Sequence, residues 1–248
     1  MLRDWYILYS LCNPLTNSYS ADYFLNGQVL LIDKPLTWTS FDAVNKIRYN
    51  IRKEYNIRKI KVGHAGTLDP LATGLLIICT GRFTKKINEY MGLPKEYTGS
   101  IQLGASTPSY DLETQIDHNF PVDHINQSLV DSIKGQFLGS IEQIPPVFSA
   151  IKKDGEKAYE AARRGESIEM KSRSIEIMEL ELSLKDNHRI DFRVKCSKGT
   201  YIRSLAHDIG KALNSGAHLS ELRRTKIGDF NVDNAMNPDE FLKEISQS

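Results

Sequence analysis

Cysteine is scarce. Cys12, Cys79 and Cys196 are the only three in 248 residues, too few and too scattered for a disulfide framework or a zinc site. Cys79 and Cys196 sit in apolar, strand-like runs and read as inert core thiols, in keeping with a reducing cytoplasm. No apolar run approaches the ~20 residues that span a bilayer, so no membrane partner is expected. A charge excess of either sign is also missing: 32 Lys and Arg stand against 31 Asp and Glu, a net charge of +1. No global field announces a polyanionic partner, and any nucleic-acid site must be a local patch. The chain has no Gly-x-Ser-x-Gly elbow, no P-loop, no Gly-x-Gly-x-x-Gly turn and no paired cysteines. Neither a nucleotide cofactor nor a metal is therefore implied.

What is present is ordinary globular material, 40% apolar and 25% charged, enough for a sizeable core. Residues 1–26 combine a short apolar run, Trp5 to Tyr9, with a polar tract, Asn17-Ser18-Tyr19-Ser20. No convincing small-residue cleavage site follows. This segment reads as a loosely ordered extension, and residues 27–248 as one domain. Strands are expected at 29–32, 75–79, 97–103, 174–184 and 188–197, the last alternating Ile190, Phe192, Val194 and Cys196 with polar neighbours. Helices are expected from Ser40, which can cap one, and at 82–91, 129–137, 158–164 and 202–213, with a short last helix opened by Pro238. Residues 107–117 read as a loop, and Pro145-Pro146 rule out a central strand there. Without repeats or a strict βαβ rhythm, the fold class is α+β, a mixed and largely antiparallel sheet decorated with helices.

The most informative stretch is Gly63-His64-Ala65-Gly66-Thr67-Leu68-Asp69-Pro70-Leu71-Ala72-Thr73-Gly74. It sets one carboxylate, Asp69, in a loop whose shape glycine and proline dictate. Pro70 fixes its own φ and pushes Asp69 toward extended geometry. An Asp before Pro is ordinarily an Asx-turn; a lone carboxylate on a stiff loop beside a buried strand also suits chemistry.

That string resembles the catalytic loop of the TruB family of tRNA pseudouridine synthases. Leu30-Leu31-Ile32-Asp33-Lys34-Pro35 with Thr39-Ser40 is similar to the family's first strand and turn. Lys95-Glu96-Tyr97 resembles the segment of its active-site tyrosine, and Ser197-Lys198-Gly199-Thr200-Tyr201-Ile202-Arg203 that of its active-site arginine. Gly216-Ala217-His218 and Leu222-Arg223-Arg224 resemble its last shared motif. The likeness runs in order from about Gly27 to about Lys226.

The resemblance implies a pseudouridine-synthase fold of the bacterial type, a monomer without an obligate protein partner, and no cofactor. It also implies that the small RNA-binding PUA domain of many relatives is lacking, since few residues follow Arg224. The substrate would be the T-arm stem-loop of tRNA, whose conserved T-loop uridine, position 55, is flipped out and isomerised. Asp69 would be the essential aspartate, acting as nucleophile at C1′ or as base in a glycal route. Arg203 would be its ion partner, since a buried carboxylate needs a cation to stay ionised. Tyr97 would lie beneath the base, with Tyr201 and Leu222 lining the pocket and His64 stacking in the space left in the RNA loop. Among the basic clusters, Lys85, Lys152 and Arg224 are expected to contact phosphates. Two rivals stand beside this reading. One is a non-catalytic tRNA-binding or folding protein on the same fold. The other is an aspartyl-nucleophile hydrolase, which usually needs a second carboxylate nearby or a metal.

Overall fold

The computed structural model describes residues 19–247 apart from positions 150, 154–155, 165, 167–168 and 187, and only the backbone of 152–153, 156–157, 161 and 163. Most of the expected N-terminal extension, with Cys12, lies outside the described residues. Its last part is not loose. Ala21–Asn26 forms a helix (α1) whose cap, Ser20, accepts the Tyr23 N–H, and Phe24 is fully buried against Tyr55 and Phe241. Burial of one large ring ties this segment down where composition alone suggested disorder.

The chain divides into two compact units, Met1–Leu93 with Arg224–Ser248, and Pro94–Arg223. In the first unit β1 (Val29–Lys34) runs antiparallel to β3 (Ala72–Thr80), with Val29 opposite Cys79 and Lys34 opposite Gly74. The short β2 (Val62–His64) pairs with the far end of β3, His64 opposite Ile78. Strand β3 is apolar without alternation because both its faces are buried. Leu76 and Ile78 join Ile32, Val44, Ile47 and Ile51 on one side, while Leu75, Ile77 and Cys79 join Ala65, Ile227 and Val232 on the other. Burial pushes the Cys79 thiol up to about 12, as expected of an inert core cysteine.

Helix α2 (Ser40–Glu54) supplies Ala43, Val44, Ile47 and Ile51 to the first of these cores. Its cap is Thr39 rather than the expected Ser40. The Thr39 hydroxyl accepts the Asp42 N–H at 3.0 Å, and the Asp42 carboxylate accepts the Thr39 N–H at 2.8 Å, a reciprocal capping box. After β3 the expected single helix is instead a 3-10 segment, Gly81–Lys86, followed by α3 (Ile87–Gly92).

The second unit holds β4 (Lys95–Leu103), the pair β5 (Ala105–Ser106) and β6 (His118–Asn119), α4 (Gln127–Lys134), and β7 (Gly139–Gln143). A small hairpin, β8 (Lys152–Lys153) with β9 (Glu156–Lys157), leads to α5 (Ala158–Arg163). Then come β10 (Arg173–Asp186), β11 (Arg189–Cys196) and α6 (Ile202–Ala212). Strands follow the order β4-β11-β10-β7, all antiparallel. One face packs Ile101, Ile190, Phe192 and Val194 against Ile202, Leu205 and Ile209 of α6. In β10 a register shift between Ile177 and Glu179 changes the parity of the strand. Ile175 and Ile177 before it, and Leu180 and Leu182 after it, thus all reach the core. The opposite face is polar, with Arg193 bonded to Glu96, Glu179 and Glu181.

Strand β12 (Ala217–Ile227) starts beside β4 in the second unit and ends in the first, where β13 (Phe230–Asn231) pairs with its last residues. Its sequence, AHLSELRRTKI, shows no clean alternation, and no strand was expected there. A Cβ at Gly99 of β4 would stand 2.0 Å from the Glu221 carbonyl oxygen, so the close passage of these two strands requires glycine. Helix α7 (Pro238–Ser246) opens on Pro238 as expected, under an Asn237–Glu240 capping box.

Candidate active site

In the first unit the residues between β2 and β3 carry Asp69, and the loop is pinned on every side of it. The Leu68 N–H donates to the Ser40 hydroxyl at 2.8 Å, and that hydroxyl lies 3.2 Å from the Leu68 carbonyl, to which it donates. Having ceded the capping role to Thr39, Ser40 is a buried, two-way clamp on the residue before Asp69. The Thr37 N–H donates to the Pro70 carbonyl at 2.8 Å, holding the residue after it. Thr37 adopts a φ of 70° to do so, a conformation that costs a β-branched residue energy. The Ala72 N–H closes back on the Asp69 carbonyl at 3.0 Å. Asp69 itself is half-buried.

Arg224 is the fourth clamp. It is 1% exposed, and its Nε donates to the Leu75 carbonyl at 2.7 Å while Nη2 donates to that of Gly66 at 3.1 Å. A guanidinium committed to two backbone carbonyls in the interior braces the loop from within. Gly74 has a φ of 106°, and a Cβ there would come within 2.3 Å of the Arg224 carbonyl oxygen, which accounts for the last glycine of the loop string.

His64 closes β2 as a half-buried ring. Burial first, and then the Arg224 charge, lower its pKa, and its Nδ1 is buried without a hydrogen-bond partner. The ring is thus uncharged at neutral pH, a flat surface suited to stacking. Lys34, at the end of β1, is fully buried and donates to the carbonyls of Trp38 at 2.6 Å and Pro35 at 2.9 Å. Burial pulls its pKa down to about 8, against the opposing pull of the Asp69 carboxylate. Lys85, in the 3-10 segment, is exposed as a phosphate contact requires. The Lys152 side chain lies outside the described residues.

In the second unit the first turn of α6 carries Arg203, 4% exposed. Its Nη1 donates to the carbonyls of Phe148 at 2.9 Å and Ser109 at 3.2 Å, and its Nε lies 3.6 Å from Asp111 Oδ2. Asp111, 5% exposed, is a partner that the sequence reading missed inside a polar, turn-rich loop. The Glu113 N–H donates to its carboxylate at 3.0 Å and the Thr107 hydroxyl to its carbonyl at 2.7 Å. The neighbouring Tyr110 ring stacks on His207, one turn beyond Arg203, with centroids 3.9 Å apart. Tyr201 precedes α6 and exchanges two hydrogen bonds with the buried Gln143 side chain, at 2.8 and 3.1 Å, beneath the Arg173 guanidinium. Tyr97 lies in β4 opposite Val194, and Leu222 in β12; both are half-buried against the core of this unit. The first unit thus gathers His64, Asp69 and Arg224, and the second gathers Tyr201 and Arg203 with Asp111.

Among the described residues no group of three His, Cys, Asp or Glu is placed to hold a metal, and no helix is long and apolar enough to cross a membrane.

Residues 52–202 match the model of the TruB family pseudouridylate synthase N-terminal domain. Residues 203–247 match that of the tRNA pseudouridylate synthase B C-terminal domain. The tRNA pseudouridine synthase B of Flavobacterium johnsoniae is 63% identical over 218 residues, 88% of this chain and 95% of that protein. The protein of the same name from Parabacteroides distasonis is 56% identical over 225 residues, 91% and 96% of the two chains. Among solved structures, a chain of a Cbf5-Nop10-Gar1 complex superposes with a TM-score of 0.63 at 30% identity over 86% of this chain. This chain spans about half, 52%, of that one.

Two outcomes are expected from the clamps. Ser40→Ala leaves both buried polar groups of Leu68 without their partner, so urea unfolding should show a loss of about 1–3 kcal/mol; an unchanged midpoint would contradict the clamp. For Lys34 the folded pKa is about 8 and the ordinary value 10.5. Between these the unfolded chain binds more protons, so this lysine makes stability rise with pH across that window and contributes no slope below it. The stability difference between wild type and Lys34→Met should therefore move in favour of wild type as pH is raised from neutrality through this window. A difference that stays constant would contradict the burial-driven shift.

Proposed function

The chain belongs to the TruB family of pseudouridylate synthases, and we propose that it isomerises the T-loop uridine of tRNA, position 55, to pseudouridine, using Asp69 as the essential carboxylate. The observation that carries this reading is the Asp69 loop. Its string of glycine, aspartate and proline resembles the family's catalytic string, and Ser40 and Thr37 fix its backbone within one residue of the carboxylate on either side.

The reaction breaks N1–C1′, turns the uracil and bonds C5 to C1′. C5 loses its proton and N1 gains one, so the balance needs no oxidant, water or cofactor. A carboxylate held at a set position can attack C1′, or remove the C2′ proton in a glycal route; either use rewards a backbone that does not move. Arg203 serves as the permanent cation that favours the ionised carboxylate, because a guanidinium stays charged when buried. Its hold by Asp111, Ser109 and Phe148 supports a fixed position for that charge. Tyr97 is assigned the place beneath the base, where a ring can stack and a phenol can assist C5 proton removal. Tyr201 and Leu222 are assigned the pocket walls. His64, uncharged and flat, suits stacking in the gap left when a base is extruded, an extrusion that costs a few kcal/mol. Lys85 and Lys152 are assigned to the RNA backbone. The proposed working form is a cytoplasmic monomer.

Release of tritium from a tRNA transcript labelled at uridine C5 tests the assignment. Wild type is expected to release it, and Asp69→Asn to lose at least ~1000-fold in rate while binding the transcript as before. Tight binding with no release from wild type would favour a non-catalytic RNA-binding protein instead.

A further inference from the structure

The outer face of α2 has no role in that chemistry, yet it is strongly patterned. Phe41, Asn45, Arg48 and Arg52 recur at steps of four, three and four, and so share one stripe of the helix. The opposite stripe, Ala43, Val44, Ile47 and Ile51, is the one committed to the core. Phe41 is 60% exposed, and Tyr49, beside the stripe, is 63% exposed. The Arg48 guanidinium is not free to wander. It stands over the Phe41 ring, 5.9 Å from the centroid, and donates to the Asn45 side chain. Arg52 is steadied by the Ile57 carbonyl, 3.4 Å from its Nε, and remains exposed.

The surroundings continue this character in both directions. In the last turn of the helix Lys53, and beyond it Arg58, Lys59 and Lys61, are exposed, and Glu54 is the only acid from 52 to 61. This run leads straight into β2 and His64. At the other end the first turn of α2 meets the Asp69 loop, through the buried Ser40 on Leu68 and, just before the helix, Thr37 on Pro70.

We infer that this face of α2 is a second RNA-binding surface, taking the strand beside the flipped uridine. Phe41, with Tyr49, offers the platform for an unstacked base, while Arg48 and Arg52 meet backbone phosphates. The inference rests on the reading of the chain as an RNA-modifying enzyme. Charge and composition select RNA over a protein partner. A helix face built for a protein groove carries clustered aliphatic anchors, whereas here exposed rings alternate with fixed cations, the combination that matches base π-faces and phosphates. On a chain with a net charge of +1, a local excess of this kind supplies the attraction that the global charge does not. About 16 Å of helix separates Phe41 from Arg52, enough to follow a strand beyond a single nucleotide.

The test is equilibrium binding of an unmodified tRNA transcript across a salt series, with folding checked by circular dichroism. Phe41→Ala is expected to weaken binding about tenfold with no change in salt dependence, and Phe41→Tyr to restore it. The double variant Arg48→Gln with Arg52→Gln is expected to lower the slope of log affinity against log salt by about two. Folded variants with wild-type affinity and slope would overturn the inference and leave this face to a protein partner. Wild type that binds the transcript but releases no tritium would overturn the proposed function alone, and the α2 variants would still report on this surface.

Discussion

Everything proposed for Asp69 depends on two hydrogen bonds between the Ser40 hydroxyl and the backbone of Leu68. A carboxylate on a loop is only as well placed as the peptide units on either side of it. Ser40 fixes the preceding unit and Thr37 the following one, and both belong to the turn that opens α2. That helix is held in turn by its capping box and by Val44, Ile47 and Ile51 in the core. Packing energy far from the loop is thereby converted into positional precision at Asp69, where rate falls steeply with small displacements.

Electrostatics add a second layer. Two cations, Lys34 and Arg224, are buried in the first unit, and each spends its hydrogen-bonding capacity on backbone carbonyls. Buried charges normally cost several kcal/mol unless paired and bonded. Here they set a positive environment around the loop, where burial first and then the Arg224 charge keep His64 uncharged. The second unit repeats the theme with Arg203, whose fork is occupied by Asp111 and two carbonyls. In both units arginine works as a fixed bracket, a role that lysine with its single point charge would fill poorly.

Much of this was legible in the sequence, and the failures have physical causes. Strands β3 and β11 could be read because one is buried on both faces and the other alternates cleanly. Strand β12 could not, because Glu221, Arg223 and Arg224 interrupt its apolar pattern, and Arg224 is buried only because carbonyls from β3 and the Asp69 loop reach it. Asp69 announced itself through the glycines and proline that shape its loop. Asp111 gave no such signal: its partner Arg203 is 92 positions away in sequence, and nothing local distinguishes it from a turn aspartate. Ser40 was misjudged by one residue, since Thr39 and Ser40 are both good caps and only the Asp42 carboxylate decides between them. The helix α1 was missed because what orders it, the packing of Phe24 on Phe241, is a contact 217 residues apart.

The clamp can be observed directly by hydrogen exchange at single-residue resolution on the wild-type chain and on Ser40→Ala. The Leu68 amide should be strongly protected in wild type. In the variant that protection should fall together with that of its neighbours in the loop, while the β3 amides from Leu75 to Cys79 stay protected. Rapid exchange of the Leu68 amide in wild type, or equal protection in both proteins, would contradict the account.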